Sequence, residues 1–385
     1  MAVALATPAC VSAAVPGDNG SIFLTASAPA SPATDVWSVA ADGSGLVDLT
    51  DLPGGPGQGS DPSVSVGGTV AFVVGTGSGA EIWTMGADGS APRRLTYNST
   101  VDEMPAVSPD GTRIAFVTDR GAGRDLWAIS ADGSGEAPLL TAAGDEEYPQ
   151  YSPDGHYVVI ASHVTGDLDI AYVPSSGGPF ATATAITSHS DLEETAPALQ
   201  PDQVRLGYTR YDRSLPAAAR QRDIFISYYD GTDEYPVATD PAISEETPAY
   251  SPDGTRIAYA TAAGLVVADA GGSNPAPLAT PAASGATDPD WAVAPDSRPP
   301  STTITRHPKR RVRKRSARFG FEAGEHGASF ECRLDHHDYA ACRSPRFRRR
   351  YLRGRHRFEV RAIDTAGNVD PTPAKARFRV LRRRH

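Results

Sequence analysis

The stretch SPDGTRIAF, Ser108 to Phe116, returns as SPDGTRIAY at Ser251 to Tyr259, with a looser copy, SPDGHYVVI, beginning at Ser152. A repeated turn-and-strand unit constrains architecture more than any other feature, because every copy must find the same surroundings. Aligned on the proline before each such turn, the copies fall at Pro62, Pro105, Pro149, Pro197, Pro248 and Pro289, in steps of 43, 44, 48, 51 and 41. That spacing belongs to propeller blades. Each repeat holds four short segments. The second (TVAFV, RIAFV, YVVIA, RLGYT, RIAYA) has the period-2 pattern of a half-buried strand. The third is EIWTM, DLWAI, DLDIAYV, DIFISY or GLVVA, and the fourth ends near Leu-Thr. Asp-Gly pairs between segments supply the positive φ of tight hairpins. Four antiparallel strands per repeat make one blade.

The ends of the array set the blade number. Before Pro62 stand only second, third and fourth strands (SIFLTA, DVWSVA, LVDLT), and after the last Leu-Ala-Thr stands only a first strand, PDWAV. Joining the two closes six blades and removes open sheet edges. These residues resemble the TolB-type family of six-bladed propellers, whose repeat reads P-x-W-S-P-D-G-x-x-I-A-F, then D-I-Y, D-G and L-T. The resemblance covers about residues 17 to 296.

From Pro299 the pattern changes to about seven short strands, and the segment reads as an immunoglobulin-like β-sandwich. In RHRFEVRAI, Phe358, Val360 and Ala362 are expected to face inward, with Arg357, Glu359 and Arg361 outward. FECRLD followed by FEVRAIDTAGNVDPTPA resembles an immunoglobulin-like module common in secreted bacterial proteins. The expected fold class is therefore all-β, with residues 1–16 a leader, 17–297 a six-bladed β-propeller and 298–385 an Arg-rich sandwich. Cys332 and Cys342 are placed across a hairpin and are expected to form a disulfide. A metal reading that adds His336 and His337 lacks the usual ligand spacing. The disulfide, with the apolar MAVALATPACVSAAV start, points to a secreted or cell-envelope, extracytoplasmic protein. Cys10 is either a lipidation site or an inert thiol. No apolar run is long enough for a membrane-spanning helix.

Charge is segregated. Residues 298–385 carry 25 basic and 8 acidic side chains, whereas 1–297 carry 11 and 38. Acidic residues recur just before each strand-opening proline: Asp61, Asp102, Glu103, Glu146, Glu147, Glu193, Glu194, Glu245, Glu246 and Asp288. First strands line a propeller axis, so these carboxylates are expected to ring the channel mouth and focus field toward a cation or cationic peptide. The alternative is a set of solvated loop carboxylates. The loop from Arg210 to Arg222, with Arg213 and Arg220, belongs to the same face and is a candidate partner contact. Trp37, Trp83 and Trp127 recur at the third strand and read as core. His156, His163 and His189 fall at unrelated repeat positions and read as surface or core residues rather than one site.

On the sandwich, Arg310, Arg311, Arg313, Arg357, Arg361, Arg377 and Arg379 are candidates for contact with an anionic cell-surface polymer. Aromatic platforms for specific nucleic-acid recognition are missing from the Arg runs. Asp364, Asn368 and Asp370 in DTAGNVD could ligate Ca²⁺ or simply make a turn; no other cofactor is expected. No G-x-S-x-G, His-Glu-x-x-His or phosphate-binding glycine loop is present. The expected function is non-enzymatic: a monomeric binding or scaffold protein taking a protein segment or other ligand on the acidic face, with the basic sandwich as anchor. The competing reading is a hydrolase or lyase acting on an envelope glycan or peptide through channel-mouth carboxylates.

Overall fold

A computed structural model describes residues 19–28, 33–121, 123–141, 144–177, 182–216, 219–238, 243–280, 284–294, 299–313, 316–324, 328–344, 346–349, 351–364 and 368–382. The leader, with Cys10, lies outside them. The chain divides into two compact units, Met1–Ala294 and Pro295–His385.

The first unit contains six four-stranded antiparallel sheets. In blade 1 the strand Ser284–Val293 pairs with Asn19–Ser27, setting Trp291 opposite Ile22, and Thr34–Val39 and Val47–Asp48 complete the sheet. The ring is closed by the two ends of the array, as the strand inventory requires. Blades 2 to 6 open on Ser60–Val64, Asp102–Val107, Glu146–Tyr151, Leu192–Leu199 and Glu245–Tyr250 and run outward in chain order.

The second strands differ from the half-buried expectation. In Arg113–Thr118, Ile114, Ala115, Phe116 and Val117 are all buried. Their alternation sorts side chains between two neighbouring blades rather than between core and water: Ile114 and Phe116 join the apolar cluster shared with blade 2, Ala115 that shared with blade 4. Each of six such clusters ties one blade to the next. The SPDG corner explains its own repetition. Gly111 sits at φ 70°, the Asp110 carboxylate accepts from the Ser108 hydroxyl at 2.7 Å and the Thr112 N–H at 3.0 Å, and the Arg113 N–H donates to Ser108 Oγ at 3.0 Å. Those bonds, the Ser108 hydroxyl foremost, hold the Asp110 carboxyl below its ordinary pKa.

The second unit is two sheets, one of three strands and one of five. They share an apolar core of Phe319, Phe321, Phe358, Val360 and Phe378, in which the Phe319 and Phe358 rings stack at 4.0 Å. One strand was not anticipated. Arg311–Val312, inside the run KRRVRKR, pairs in parallel with Ala374–Val380 as an edge strand, Val312 turning to the core. Cys332 and Cys342 are disulfide-bonded between adjacent strands, ten positions apart. For a loop of that size, replacing both cysteines by serine is expected to cost about 2–3 kcal/mol, read as a lower unfolding midpoint that added reductant reproduces in the unmodified protein.

Candidate ligand site in the propeller channel

The strand-opening prolines do more than start strands. The residue before each one, Asp61, Met104, Tyr148, Ala196, Thr247 or Asp288, lies in the left-handed region with φ between 48° and 50°. Such a conformation is uncommon outside glycine, and here it coincides with a register shift in every first strand. The extra residue of the bulge leaves the side chains on both sides of the proline bordering an axial cavity of about 240 Å³. Its lining is lopsided. Asp61, Asp288 and Asp290, with Ser63, occupy the side made by blades 1 and 2, while Met104, Tyr148, Ala196 and the prolines make the remainder mostly apolar, with Gln150 and Thr247 as its polar groups.

Burial acts on all three aspartates. Asp61 is pushed up to about 7 by burial and then by the neighbouring Asp288 charge, against a Met104 N–H bond and the Arg124 charge. Asp288 is also raised by burial, despite bonds from the Thr287 and Thr25 hydroxyls. Asp290 reaches about 6 by burial although its carboxylate accepts the Val64 N–H at 2.7 Å and the Trp291 N–H at 2.9 Å. The Asp61 N–H donates to Thr25 Oγ1 at 2.9 Å, linking the two ring aspartates through one hydroxyl. These are carboxyls that a cation entering the channel would ionise.

A second cavity of about 300 Å³ shares Tyr148, Ala196 and Thr247 with the first and forms its mouth. Glu147, Glu193 and Glu246 reach it, but not as a bare ring of like charge. Arg124 bridges Glu103 and Glu147, Arg222 meets Glu246 at 3.0 Å, and Glu193 receives Tyr211 and, at 3.4 Å, Arg213. The expected acidic rim is thus corrected to a belt of paired charges, and the uncompensated carboxyls lie deeper. Arg220 is also reassigned: it donates to the carbonyls of Leu215 and Arg213, each at 3.0 Å, and so fastens its own loop.

Asp102, Glu146, Glu194 and Glu245 do not line either cavity. They are buried at 0–4% exposure. Alternation is the reason, since the residues that follow Glu146, Glu194 and Glu245 line the second cavity and neighbours along a strand point opposite ways. Asp102 binds Arg120 at 2.8 Å and Asn98 at 2.6 Å. Glu194 receives Thr187 at 2.7 Å and Arg210 at 2.9 Å, and burial raises it to about 8. Around Arg210 gather Glu234 at 2.5 Å, Tyr208 and His189; Asp169 lies with His189 and Glu194. His189 therefore belongs to a polar cluster between blades 4 and 5, which its repeat position did not reveal.

A further set was missed although its signal is plain. Acids open the third strands: Asp35, Glu81, Asp125 and Asp169 are buried. The Thr of the Leu-Thr element accepts a third-strand N–H and donates to the acid, Thr96 to Ile82 N at 2.9 Å and Glu81 at 2.6 Å, Thr50 to Val36 N at 3.1 Å and Asp35 at 3.1 Å. EIW, DLW and Leu-Thr are two halves of one structural device.

In the second unit, Asp364 and Asp370 of the DTAGNVD loop accept from nearby donors, while Asp370 Oδ2 is buried without a hydrogen-bond partner. Asp364 accepts the Asn368 N–H at 2.7 Å and its side-chain amide at 2.9 Å, and Asp370 accepts the Thr372 N–H at 2.7 Å. Arg361 is matched with Glu331 at 2.7 Å, and Arg357 with Glu359. Arg310, Arg311, Arg313, Arg377 and Arg379 are exposed. Trp37 is buried, and Trp83 and Trp127 pack on the inter-blade clusters, as read.

Comparison with known proteins agrees with this architecture. Residues 54–216 match the family described as TolB beta propeller domain. The propeller resembles the TolB type. TolB from Acinetobacter baumannii superposes with a TM-score of 0.58 at 17% identity, covering 71% of this chain and 66% of that one, so the chain spans just under two thirds of that relative's length. A nidogen/laminin complex structure (TM-score 0.55, 9% identity, 71% and 98% covered) and Kuenenia stuttgartiensis hydrazine synthase (0.55, 13%, 71% and 47%) are similar in fold. No curated protein matches the sequence. Among the described residues no helix is long and apolar enough to cross a membrane.

Proposed function

We propose that this protein is a non-enzymatic, extracytoplasmic binding and scaffold protein. Its TolB-type channel takes a cationic group of a protein segment, and its Arg-rich module holds an anionic cell-surface polymer. One observation carries the first half: three aspartates with raised pKa values gather on one side of an axial cavity whose other side is mostly apolar and aromatic and holds no acid. An ammonium or guanidinium would meet carboxyls there, while its alkyl stem would lie against Tyr148 and Met104. The paired mouth would select for peptides presenting both signs of charge.

Short peptides with a Lys, an Arg or a free amino terminus, titrated calorimetrically against their acetylated or citrulline analogues, test this. Cationic peptides are expected to bind about tenfold or more tightly than neutral ones, and Asp61→Asn to remove most of that margin. Affinity should rise from pH 5 to pH 8 as Asp61 ionises through about 7. Stability should move the other way. A carboxyl raised in the folded state holds its proton there after the unfolded chain has released it, so stability falls as pH climbs from about 4 through 7, and Asp61→Asn flattens that slope. Equal binding of neutral analogues overturns the proposal.

The enzyme reading finds less support in Glu103 and Glu147, which share the Arg124 guanidinium and so sit in like environments, whereas acid/base pairs need unlike ones. Turnover of an envelope glycan or peptide, lost in Asp61→Asn, would favour it instead.

A further inference from the structure

The outer face of the five-stranded sheet is divided. On one half every guanidinium has a cross-strand acid. Arg361 lies opposite Glu331 and binds it through Nε at 2.9 Å and Nη2 at 2.7 Å; Arg333 lies opposite Glu359 and binds it at 3.0 and 2.8 Å. Tyr339 is clasped between these two arginines, 4.5 and 4.2 Å from its ring centre. On the other half the register sets arginine against arginine. Arg355 faces Arg379, Arg379 faces Arg311 across the parallel edge, and Arg357 faces Arg377. Like charges directly opposite one another destabilise a sheet. Among the described residues Arg311, Arg355, Arg377 and Arg379 are exposed and have no carboxylate partner.

We infer that these four arginines form the polymer-binding lattice of the second unit and that their ligand is a linear phosphodiester polymer of a cell surface. The inference rests on the anchoring role proposed above and specifies its residues and chemistry. Neighbouring strands stand about 4.8 Å apart and same-face residues about 7 Å apart along a strand, so a guanidinium is available every ~5–7 Å in two directions. A flexible chain with one phosphodiester per short repeat can match that spacing. Each guanidinium offers parallel N–H donors to the two free oxygens of a phosphodiester, a fit that lysine could not supply. Nucleic acid is disfavoured because Tyr339, the ring on this face, is already covered by Arg333 and Arg361.

The test uses the full chain with inorganic polyphosphate as the probe, titrated between about 50 and 200 mM salt. Four contacts at about 0.7 each predict a slope of log K against log salt near −3; Arg355→Gln with Arg379→Gln should halve it and weaken binding about tenfold or more. Arg306→Gln with Arg318→Gln, the same charge change at exposed positions on the three-stranded sheet, should leave affinity within about twofold. The lattice variant should unfold at the same temperature as the unmodified protein or a higher one, since it relieves repulsion; a lower temperature overturns the claim that these charges are without partners. Equal losses in both variants overturn the lattice while leaving a general basic anchor. Tighter binding of polyglutamate than of polyphosphate overturns phosphate recognition, and tighter binding of single-stranded DNA, itself a phosphodiester chain, overturns the cell-surface source. No binding by the unmodified chain removes the anchoring role itself.

Discussion

Replacing Arg210 by methionine is expected to lower the unfolding free energy of the propeller by about 2–3 kcal/mol, because it strands the part-buried Glu234 carboxylate and leaves the buried Glu194 carboxyl without its donor. Arg210 is 8% exposed and Glu194 is 0% exposed. Its Nε holds Glu194 at 2.9 Å, its Nη2 holds Glu234 at 2.5 Å, and its guanidinium lies 4.4 Å from the Phe225 ring centre. Burial already pushes Glu194 to about 8, with Asp169 adding to the push and Thr187 and Arg210 opposing it. At pH 7 Glu194 is thus largely protonated, and the charge that loses its partner is that of Glu234, whose carboxyl, against the push of burial, Arg210 holds below its ordinary range. Methionine keeps the stem volume, so the loss isolates charge rather than packing. The double variant Arg210→Met with Glu234→Gln should recover at least half of the deficit, since removing both partners leaves no orphaned charge. Thermal unfolding of the four proteins of this cycle at pH 7 gives the coupling directly. A single-variant loss below about 1 kcal/mol would place the pair with ordinary exposed ion pairs and leave the inter-blade cluster without an energetic role.

The ring itself was legible because it is written in the chain six times. A proline every 41 to 51 residues, Asp-Gly at the corners, and an array beginning on a second strand and ending on a first admit few closures. The site was less legible, for two physical reasons. The left-handed residue before each proline is Asp, Met, Tyr, Ala, Thr and Asp in turn, so no residue type marks the bulge that decides which side chains border the axis. A period of two run through Glu103, Glu147 and Glu246 loses its phase at that bulge. Charge compensation was the second obstacle. Arg124 stands 21 residues from Glu103 and 23 from Glu147 in sequence, and only the folding of blade 3 against blade 4 makes it a shared partner. Counting acids before prolines overstated the charge of the face, since Asp102, Glu146, Glu194 and Glu245 are buried away from it and Glu103, Glu147 and Glu246 are paired. The same limitation applies to His189, whose neighbours Glu194 and Glu234 come from the next blade.

Trp291→Ala is expected to cost about 3–5 kcal/mol and to act on one seam of the ring. Trp291 is 5% exposed in the cluster joining blades 6 and 1, among Ile22, Leu24, Trp37 and Val267, and its indole N–H donates to the Gly20 carbonyl at 3.1 Å. Every inter-blade seam, that between blades 6 and 1 included, is crossed by continuous chain, whereas within blade 1 the strand Ser284–Val293 is held to Asn19–Ser27 by sheet bonds and packing alone. Backbone contact there is close: a Cβ added to Gly20 would come within 2.7 Å of the Ala292 carbonyl, so Gly20→Ala should weaken the same seam by another route. Hydrogen exchange should then rise first in Asn19–Ser27 and Ser284–Val293, before blades 3 and 4 respond, because opening one seam leaves the remaining inter-blade clusters intact. Trp127→Ala, at a half-buried third-strand position away from the seam, serves as the comparison and should cost less without concentrating exchange in blade 1. Uniform acceleration across all six blades in Trp291→Ala would mean that the propeller opens as a single unit and that the pairing of the array's ends is no weaker than any other contact in the ring.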